Sequence, residues 1–251
     1  MIKIDNTDVV GWEHAIRGMR NPMNSWKKSD SEFGVMYEDI PGLIEVKNDS
    51  IWFSYIGPND QKLMTTLRDA GTDHRKFMRM LVVYVDITAP LYWWKEFDTY
   101  KVGTVANSCS TMHKIHAKEF DISDFSFEKL INLSYDLDYD NCVVTSEPDE
   151  NGQGPAYYFD PSALLEVIID MLNKARSLYL QTEDKTYWWQ MIQLLPSSYN
   201  QKRTVMFNYE VLANIYKSRK DHRLDEWHDF CEWVETLPYS KLITGKKRTD
   251  V

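Results

Sequence analysis

The sequence predicts an α+β protein in which a mixed or antiparallel sheet is flanked by long helices. The run Leu81–Ile87 is apolar and rich in β-branched residues, which is typical of an interior strand. The segment Ala163–Thr182 instead carries apolar residues at helical spacing along its length. No internal repeat or low-complexity block is present. We therefore expect one α+β domain over residues 1–240 and a flexible basic tail over residues 241–251.

Side-chain alternation and turn residues divide the first half of the chain. Residues 1–5 alternate apolar and polar side chains as a strand does, and Thr7 or Asp8 is placed to cap a helix that Asn21-Pro22 ends. After the strand Leu81–Ile87, Pro90 has no amide hydrogen to donate, so this strand should end near residue 89. The further elements predicted here are strands at 34–36 and 51–55 and helices at 61–70 and 91–97.

The second half of the chain is predicted to be mostly helical. A loop of small residues from Tyr100 to Ser110 precedes the helices, and Pro196 stops one of them. The segment 147–155 is rich in Gly, Pro and acidic residues and is the clearest flexible loop. The helices predicted after Ser110 cover residues 112–117, 163–182, 186–195, 204–217 and 225–237.

Composition argues against several classes of function. A net charge of -9 and a pI near 5.2 disfavour the binding of long nucleic acids, which requires a surplus of Lys and Arg. The three cysteines are widely spaced and form no CxxC pair, so neither a disulfide framework nor a metal site is indicated. The N-terminus lacks an apolar leader, and no segment approaches the ~20 apolar residues of a membrane span. We expect a soluble cytoplasmic protein that does not bind membranes.

The stretch Ile87–His116 is the first candidate for a binding site. Aromatic residues make up 14% of the chain, with nine Trp and fifteen Tyr, and these two residue types are favoured at subunit interfaces and ring-binding pockets. In this stretch large aromatics and a Lys-Glu pair are followed by small polar residues, which is typical of a cleft. Five of its side chains are candidates for stacking on a ligand ring, namely Tyr92, Trp93, Trp94, Phe97 and Tyr100.

The same stretch resembles the flavin-dependent thymidylate synthases. That family carries an Ala-Pro-aromatic strand end and then the signature Arg-His-Arg-x-x-Ser-x-Asn-x-x-Ser-x-Arg-Tyr. Here Ala89-Pro90-Leu91-Tyr92 is similar to the strand end. Downstream, Leu195-Pro196, Tyr199 and the helix NYEVLANIYKSR (208–219) are similar to the family's Leu-Pro, its Tyr-Thr-Glu and the helix whose Asn and Arg reach flavin and uracil. The matched segments, Thr65–Ile115 and Ala163–Trp227, cover roughly half of the chain.

The resemblance implies roles for ten residues. They are His74, Tyr100, Lys101 and Asn208 for cofactor binding, Thr104, Asn107, Thr111 and Arg219 for substrate binding, and Cys109 and Ser110 for catalysis. Without gaps, Cys109 falls on the family's Ser beside the pyrimidine, whereas a shift of one residue places Asn107 and Ser110 on the motif's Asn and Ser instead. Asn208 and Arg219 are eleven residues apart, three helical turns, which would put both on one face of a helix.

The departures from the signature affect anion binding. Thr99-Tyr100-Lys101 falls on Arg-His-Arg and keeps one charge, while Thr111 replaces the Arg that grips the nucleotide phosphate. Two interpretations stay open: the ligand is less anionic, or other basic side chains converge to rebuild the site. The basic residues in question are Arg17, Arg20, Lys101, Lys114 and Arg219.

Cys109 has two interpretations as well. A thiolate at the pyrimidine-facing position would add to C6 of a uracil ring, which activates the ring for reaction at C5. Alternatively, Cys109 is a small packed residue in the place of Ser, since a lone Cys is more often packed than catalytic.

The activity implied by the resemblance is flavin-dependent one-carbon transfer to C5 of a deoxyuridylate-like pyrimidine nucleotide. It implies FAD as cofactor, a reduced folate and NADPH as further reactants, and a homotetramer with shared active sites. Because the Arg-His-Arg triplet is replaced, an alternative is a nucleotide- or partner-binding protein on the same scaffold that has lost flavin chemistry. Whether the chain is an enzyme is left open between these two.

Overall fold

The computed structural model describes residues 2–36, 51–131 and 161–245. Within these residues one sheet has four strands in the order β1-β4-β6-β5, formed by Lys3–Val10 (β1), Val82–Pro90 (β4), Asn200–Asn208 (β6) and Val105–Ser108 (β5). A second sheet pairs β2 (Glu32–Met36) with β3 (Ile51–Tyr55) in antiparallel register, Gly34 opposite Phe53. The loop predicted at 147–155 lies outside the described residues.

The described part of the chain also contains eight α-helices. They are Trp12–Arg20 (α1), Pro58–Asp69 (α2), Leu91–Phe97 (α3), Pro161–Thr182 (α4), Lys185–Leu194 (α5), Tyr209–Arg219 (α6), Asp225–Thr236 (α7) and Lys241–Thr244 (α8). Short 3-10 turns occupy Asn21–Met23, Trp26–Lys28, Arg75–Met80 and Ile122–Asp124. The predicted α+β class, with sheets and long helices, is confirmed.

The chain divides into two compact units. The first unit comprises Met1–Lys3, Ile87–Thr99 and Asn107–Arg203, and the second comprises Ile4–Asp86, Tyr100–Ala106 and Thr204–Val251. Each strand of the four-stranded sheet contributes residues to both units. The single domain expected over residues 1–240 stays a prediction.

The first unit has an aromatic and aliphatic core. At α3, Trp93, Trp94 and Phe97 are at most 1% exposed and their rings contact one another. Helix α4 packs against α5. A cluster of buried side chains from these two helices and from the segment 115–125 contains Ile115, Phe120, Phe125, Leu165, Ile169, Leu172, Ala175 and Met191.

The second unit is built around the alternating strands β4 and β6. Val83 and Val85 of β4 are buried while Tyr84 between them is 46% exposed, and Val205 and Phe207 of β6 are buried. This two-residue alternation places every second side chain on the same face of the sheet. The buried side chains of helices α1, α6 and α7 supply the rest of this core.

The predicted helix that ends at Asn21-Pro22 is present as α1, but its predicted cap at Thr7 or Asp8 is wrong, because β1 continues to Val10. Gly11 then takes a left-handed conformation (φ 95°), and a Cβ at this position would lie 2.1 Å from the carbonyl oxygen of Met80. Only glycine fits such a position without strain, so the helix starts after it. Thr7 accepts a hydrogen bond from the Trp233 indole instead of capping a helix.

The helix predicted over 204–217 starts too early, because residues up to Asn208 belong to β6. The strand begins with polar side chains, so the sequence shows no alternation of apolar and polar residues there. The alternation becomes visible in the burial of Val205 and Phe207. The helix predicted over 112–117 is also wrong, since that segment consists of turns.

The predicted flexible tail begins at Lys241, where the structure has the short helix α8. Leu242 and Ile243 of this helix are each 5% exposed, and the chain packs at least to this point. Residues 246–251 lie outside the described part. Among the residues described, no helix combines the length and the apolar character that a bilayer crossing requires.

Candidate functional site

Asn208 ends strand β6 and caps helix α6. Its backbone is extended (φ -125°, ψ 168°), and its side-chain oxygen accepts the Val211 N–H at 3.0 Å. The cap satisfies one of the amides that a helix start leaves unpaired. The expectation that Asn208 and Arg219 share a helix face is therefore wrong for Asn208, which precedes the helix, while Arg219 is its last residue.

Arg219 forms an ordered cluster with two aromatic side chains. Its Nε donates to the Tyr100 hydroxyl at 2.8 Å. Its guanidinium carbon lies 5.4 Å from the centre of the Tyr100 ring and 4.6 Å from that of Trp227. The two rings meet edge to face at 6.2 Å, and His222 lies 6.3 Å from Trp227. A guanidinium held against aromatic faces presents a fixed planar cation, which suits an anionic or heteroaromatic ligand.

The loop Tyr100–Ala106 runs against the start of α6 at Gly103. Gly103 has φ 77°, and a Cβ there would lie 3.0 Å from Val211 and 3.3 Å from the Nδ2 atom of Asn208. Glycine thus permits the close approach that brings this loop beside Asn208. The structure brings Tyr100 to Arg219, and it brings Gly103, which precedes Thr104 in the chain, to Asn208.

Thr104 carries an unsatisfied buried group. Its Oγ1 atom is inaccessible to solvent and has no hydrogen-bond partner within the described residues. The neighbouring side chains Val102 and Val105 are 89% and 55% exposed. A buried hydroxyl without a partner costs about 1–3 kcal/mol, which marks Thr104 as a position where a partner would be gained.

Cys109 lies in the first unit, directly after strand β5, and is exposed. Its N–H donates to the Lys202 carbonyl at 2.9 Å, and its own carbonyl accepts from Gln201 Nε2 at 2.8 Å. Both hydrogen bonds come from β6, so the backbone of Cys109 is fixed while its thiol faces outward. The packed interpretation of Cys109 is therefore wrong.

The other predicted site residues of the first unit lie within two positions of Cys109 in the chain. Asn107 is an exposed residue of β5, Ser110 is exposed and Thr111 is half-buried. Ser110 Oγ accepts the His113 N–H at 2.9 Å, which closes a turn. The structure thus gives Ser110 a local structural contact, and the two registers of the motif stay open.

His74 and Lys101 lie in the second unit and are exposed. His74 precedes the 3-10 turn Arg75–Met80, and its backbone N–H bonds Gly71. The described residues contain no group of three or more His, Cys, Asp or Glu side chains placed to bind a metal ion.

Three interpretations drawn from the sequence are corrected by burial and contacts. Trp93, Trp94 and Phe97 are core residues packed on each other, so they are not a platform for a ligand ring. Arg20 is 4% exposed and bonds Asp60, and Arg17 bonds His14 at 3.1 Å, so neither joins Arg219.

Two residues of importance were missed in the sequence. Gln201 is 7% exposed and connects Cys109 to Arg203 and, through its carbonyl, to the Trp94 indole. Trp227 stacks on Arg219. The burial of Gln201 follows from strand β6, which the sequence did not reveal. The signal for Trp227 was its place in the matched segment, eight residues after Arg219 on the following helix.

Comparison with known proteins identifies the fold. No family model matches the chain, and no curated protein matches it in sequence. Among solved structures, thymidylate synthase X (ThyX) from Helicobacter pylori with FAD and dUMP superposes with a TM-score of 0.60 at 15% identity, covering 97% of this chain and 98% of ThyX. A second crystal structure of the H. pylori enzyme with FAD and dUMP gives the same TM-score and identity over 96% of this chain.

A third similar structure is the UMP/dUMP methylase PolB from Streptomyces cacaoi bound with 5-Br dUMP. It has a TM-score of 0.50 at 15% identity and covers 94% of this chain and 89% of PolB. This protein has a ThyX-like fold. The likeness extends over nearly the entire chain, well beyond the two segments matched by their motifs.

Proposed function

We propose that this protein binds a deoxyuridylate-like pyrimidine nucleotide through the loop Tyr100–Ala106 and helix α6, and that its reaction is one-carbon transfer to C5 of the pyrimidine. The observation that carries the proposal is the Thr104 hydroxyl, which is buried and unpaired within the described residues. The carbonyl and imino groups of a pyrimidine can satisfy such a hydroxyl. Its neighbours Val102 and Val105 are exposed, so the loop that carries Thr104 is open to solvent on both sides of it.

The Arg219 cluster supports the same ligand class. Arg219 is half-buried, and its position is set by Trp227 and by the Tyr100 hydroxyl. Its planar cation suits a phosphate or a uracil carbonyl. The solved structures of similar fold support the pyrimidine, because both ThyX and PolB are described with dUMP or a brominated dUMP.

The residues predicted for flavin binding fit FAD poorly. A flavin diphosphate needs charged donors, and of the triplet Thr99-Tyr100-Lys101 only Lys101 carries a charge. Tyr100 already accepts from Arg219, and the side-chain oxygen of Asn208 is used in the cap of α6. His74 and Lys101 are exposed.

A second candidate function is that of a nucleotide-binding protein on the same scaffold without flavin chemistry. The Tyr100–Arg219 hydrogen bond favours it, because it directs a residue of the altered triplet toward the nucleotide-binding arginine instead of toward a cofactor. In that case Cys109, exposed beside β6, would have no catalytic part.

Thr104→Val tests nucleotide binding, because it should stabilise the free protein and weaken its response to dUMP. Valine has the shape of threonine without the hydroxyl, so it should raise the melting temperature of the free protein by removing an unpaired buried group. It should also reduce the thermal shift produced by dUMP, which for wild type at a hundredfold excess over Kd is about 2.7 kcal/mol in stability. Thr66→Val is the matched control, because Thr66 is an exposed residue of α2, and the dUMP shift of this variant should be unchanged. A Thr104→Val protein with a full dUMP shift contradicts the proposal.

Flavin titration then separates the two candidates. Pure protein that binds added FAD, and that releases the C5 hydrogen of dUMP when given FAD, a reduced folate and NADPH, supports the one-carbon transferase. Protein that binds dUMP but takes up no FAD supports the binding protein. Arg219→Ala should abolish the dUMP shift in either case, because both candidates use this cation.

A further inference from the structure

Two cavities of the second unit share the side chains of Arg20 and Ser29. The smaller, about 230 Å³, is lined by Glu13, Ile16, Arg17, Arg20, Trp26, Ser29, Ser31 and Phe33. The larger, about 570 Å³, is lined by Arg20, Met23, Ser25, Lys27, Lys28, Ser29, Asp30, Asn59 and Leu63. None of these residues belongs to the Tyr100–Arg219 cluster, so the two cavities are separate from the nucleotide site proposed above.

Arg20 is the fixed element between the cavities. Its Nε donates to Asp60 Oδ1 at 2.6 Å and its Nη1 to the Ser25 carbonyl at 3.2 Å, while the side chain is 5% exposed. Its remaining amino group, Nη2, makes no hydrogen bond within the described residues. Arg20 lines both cavities, and Nη2 is not one of the buried unpaired atoms of the described residues. This amino group is therefore the part of the guanidinium that a ligand in the cavities can reach.

The charges around the larger cavity favour an anion. Lys27 and Lys28 belong to the 3-10 turn Trp26–Lys28, and within the described residues neither forms an ion pair. The acidic Asp30 uses its two oxygens to accept the Asn59 and Asp60 N–H groups at the start of α2. In a chain of net charge -9, this is a local concentration of cations.

The smaller cavity favours a ring. Trp26 is 49% exposed, and its indole donates to Asn21 at 2.8 Å, which fixes the orientation of the ring. Phe33 and the buried Ile16 add apolar surface. Glu13 and Arg17 both line this cavity and offset each other's charge, whereas Lys27 and Lys28 line only the larger cavity. A ligand that spans Arg20 would therefore place its anionic end in the larger cavity and its ring in the smaller one.

We propose that these cavities form a second ligand site, the Arg20 site, for a small phosphorylated compound with an aromatic ring. The phosphate lies against Lys27, Lys28 and the Nη2 amino group of Arg20, and the ring lies against Trp26. The binding is non-covalent and leaves the Arg20–Asp60 pair intact.

Calorimetric titration of the full chain with AMP, adenosine and inorganic phosphate tests the Arg20 site. AMP should bind more tightly than adenosine or phosphate, because only AMP occupies both cavities. The pair K27Q/K28Q should weaken AMP binding by about tenfold or more, through loss of two charges at the phosphate. The matched pair K62Q/K76Q removes the same charge from exposed positions of the same unit and should leave the affinity unchanged.

Two further variants locate the ligand. Trp26→Ala should weaken AMP but leave the affinity for inorganic phosphate unchanged, since the ring alone contacts Trp26. Arg219→Ala should leave AMP binding intact, which keeps the outcome independent of the pyrimidine site. Absence of AMP binding up to about 10 mM, equal losses in K27Q/K28Q and K62Q/K76Q, or loss of AMP binding in Arg219→Ala would each overturn the proposal.

Discussion

Replacing Asp60 by Ala should destabilise the protein more than removing any other charged side chain of α2. The Asp60 side chain is fully buried and accepts four hydrogen bonds: one from Arg20 on Oδ1, and those of Ser29 Oγ, Ser31 Oγ and the Asp30 N–H on Oδ2, at 2.6–3.1 Å. Alanine removes the acceptor of all four bonds. It also leaves the buried cation of Arg20 without its counter-charge.

The expected cost follows from the loss of one partner of a buried ion pair. Such a change typically costs about 3–5 kcal/mol, because the other charge stays desolvated. In a protein whose whole stability is about 5–15 kcal/mol, this is a large fraction. For a chain of this size the melting temperature should fall by roughly 6–20 °C.

Urea denaturation followed by circular dichroism measures the effect. Asp221→Ala is the control, since Asp221 pairs with Lys220 at 3.9 Å with side chains that are 89% and 51% exposed, and its loss should cost less than about 1 kcal/mol. The double variant Asp60→Ala with Arg20→Met should recover part of the loss, because it leaves no unpaired charge. A loss below about 1 kcal/mol in Asp60→Ala would refute the reasoning.

The pH dependence gives a second readout of the same contact. Burial alone would raise the pKa of Asp60, but the hydrogen bonds from Ser31, Ser29, Arg20 and the Asp30 N–H together outweigh it and hold the pKa below the ordinary value of 3.8. The stabilisation by Asp60 is therefore complete above this ordinary pKa and is lost as the pH falls through the lowered native pKa. Asp60→Ala should lack this part of the acid-induced loss of stability.

Two substitutions and one labelling experiment probe the packing of the second unit. Gly11→Ala should lower the free energy of unfolding by about 2–4 kcal/mol, because at φ 95° the added Cβ would lie 2.1 Å from the Met80 carbonyl oxygen. Thermal melting measures this loss. Tyr209→Phe should cost about 1–3 kcal/mol in urea denaturation, since the buried hydroxyl donates to the Pro238 carbonyl at 2.6 Å. Cys231 should resist iodoacetamide at neutral pH until the protein unfolds, because burial raises the pKa of its thiol to about 12, and mass spectrometry of labelled peptides checks this.

The elements with strong local signals could be predicted from the sequence. The β-branched run ending before Pro90 and the helix Leu91–Phe97 depend on proline chemistry and apolar spacing, and both are present in the structure. Strand β6 could not be predicted in the same way, because Gln201 is buried by contacts with Cys109, directly after β5, and with Trp94 of α3, which both lie far away in the chain. Tertiary contacts override local propensity at such a position.

The residues of the candidate site stay a prediction from the sequence, and the contacts between them could not be predicted from it. Arg219 and Tyr100 are separated by 119 positions, and no spacing rule reports that one donates to the other. Asn208 was assigned to the right segment but to a helix face, because its capping role depends on where β6 ends. The unpaired hydroxyl of Thr104 is a property of burial alone, and the sequence carries no signal for it.

The start of α3 has a consequence for the order in which the chain folds during synthesis. Pro90 cannot cap this helix with a side chain, and the amides of Leu91 and Tyr92 are instead satisfied by the carbonyls of Tyr199 and Ser197. The ribosome releases residues 91 and 92 long before it makes their partners, at roughly 5–20 residues per second. For several seconds the start of α3 lacks these two acceptors, so the helix and its paired tryptophans can reach their final packing only after residues 197–199 have been made.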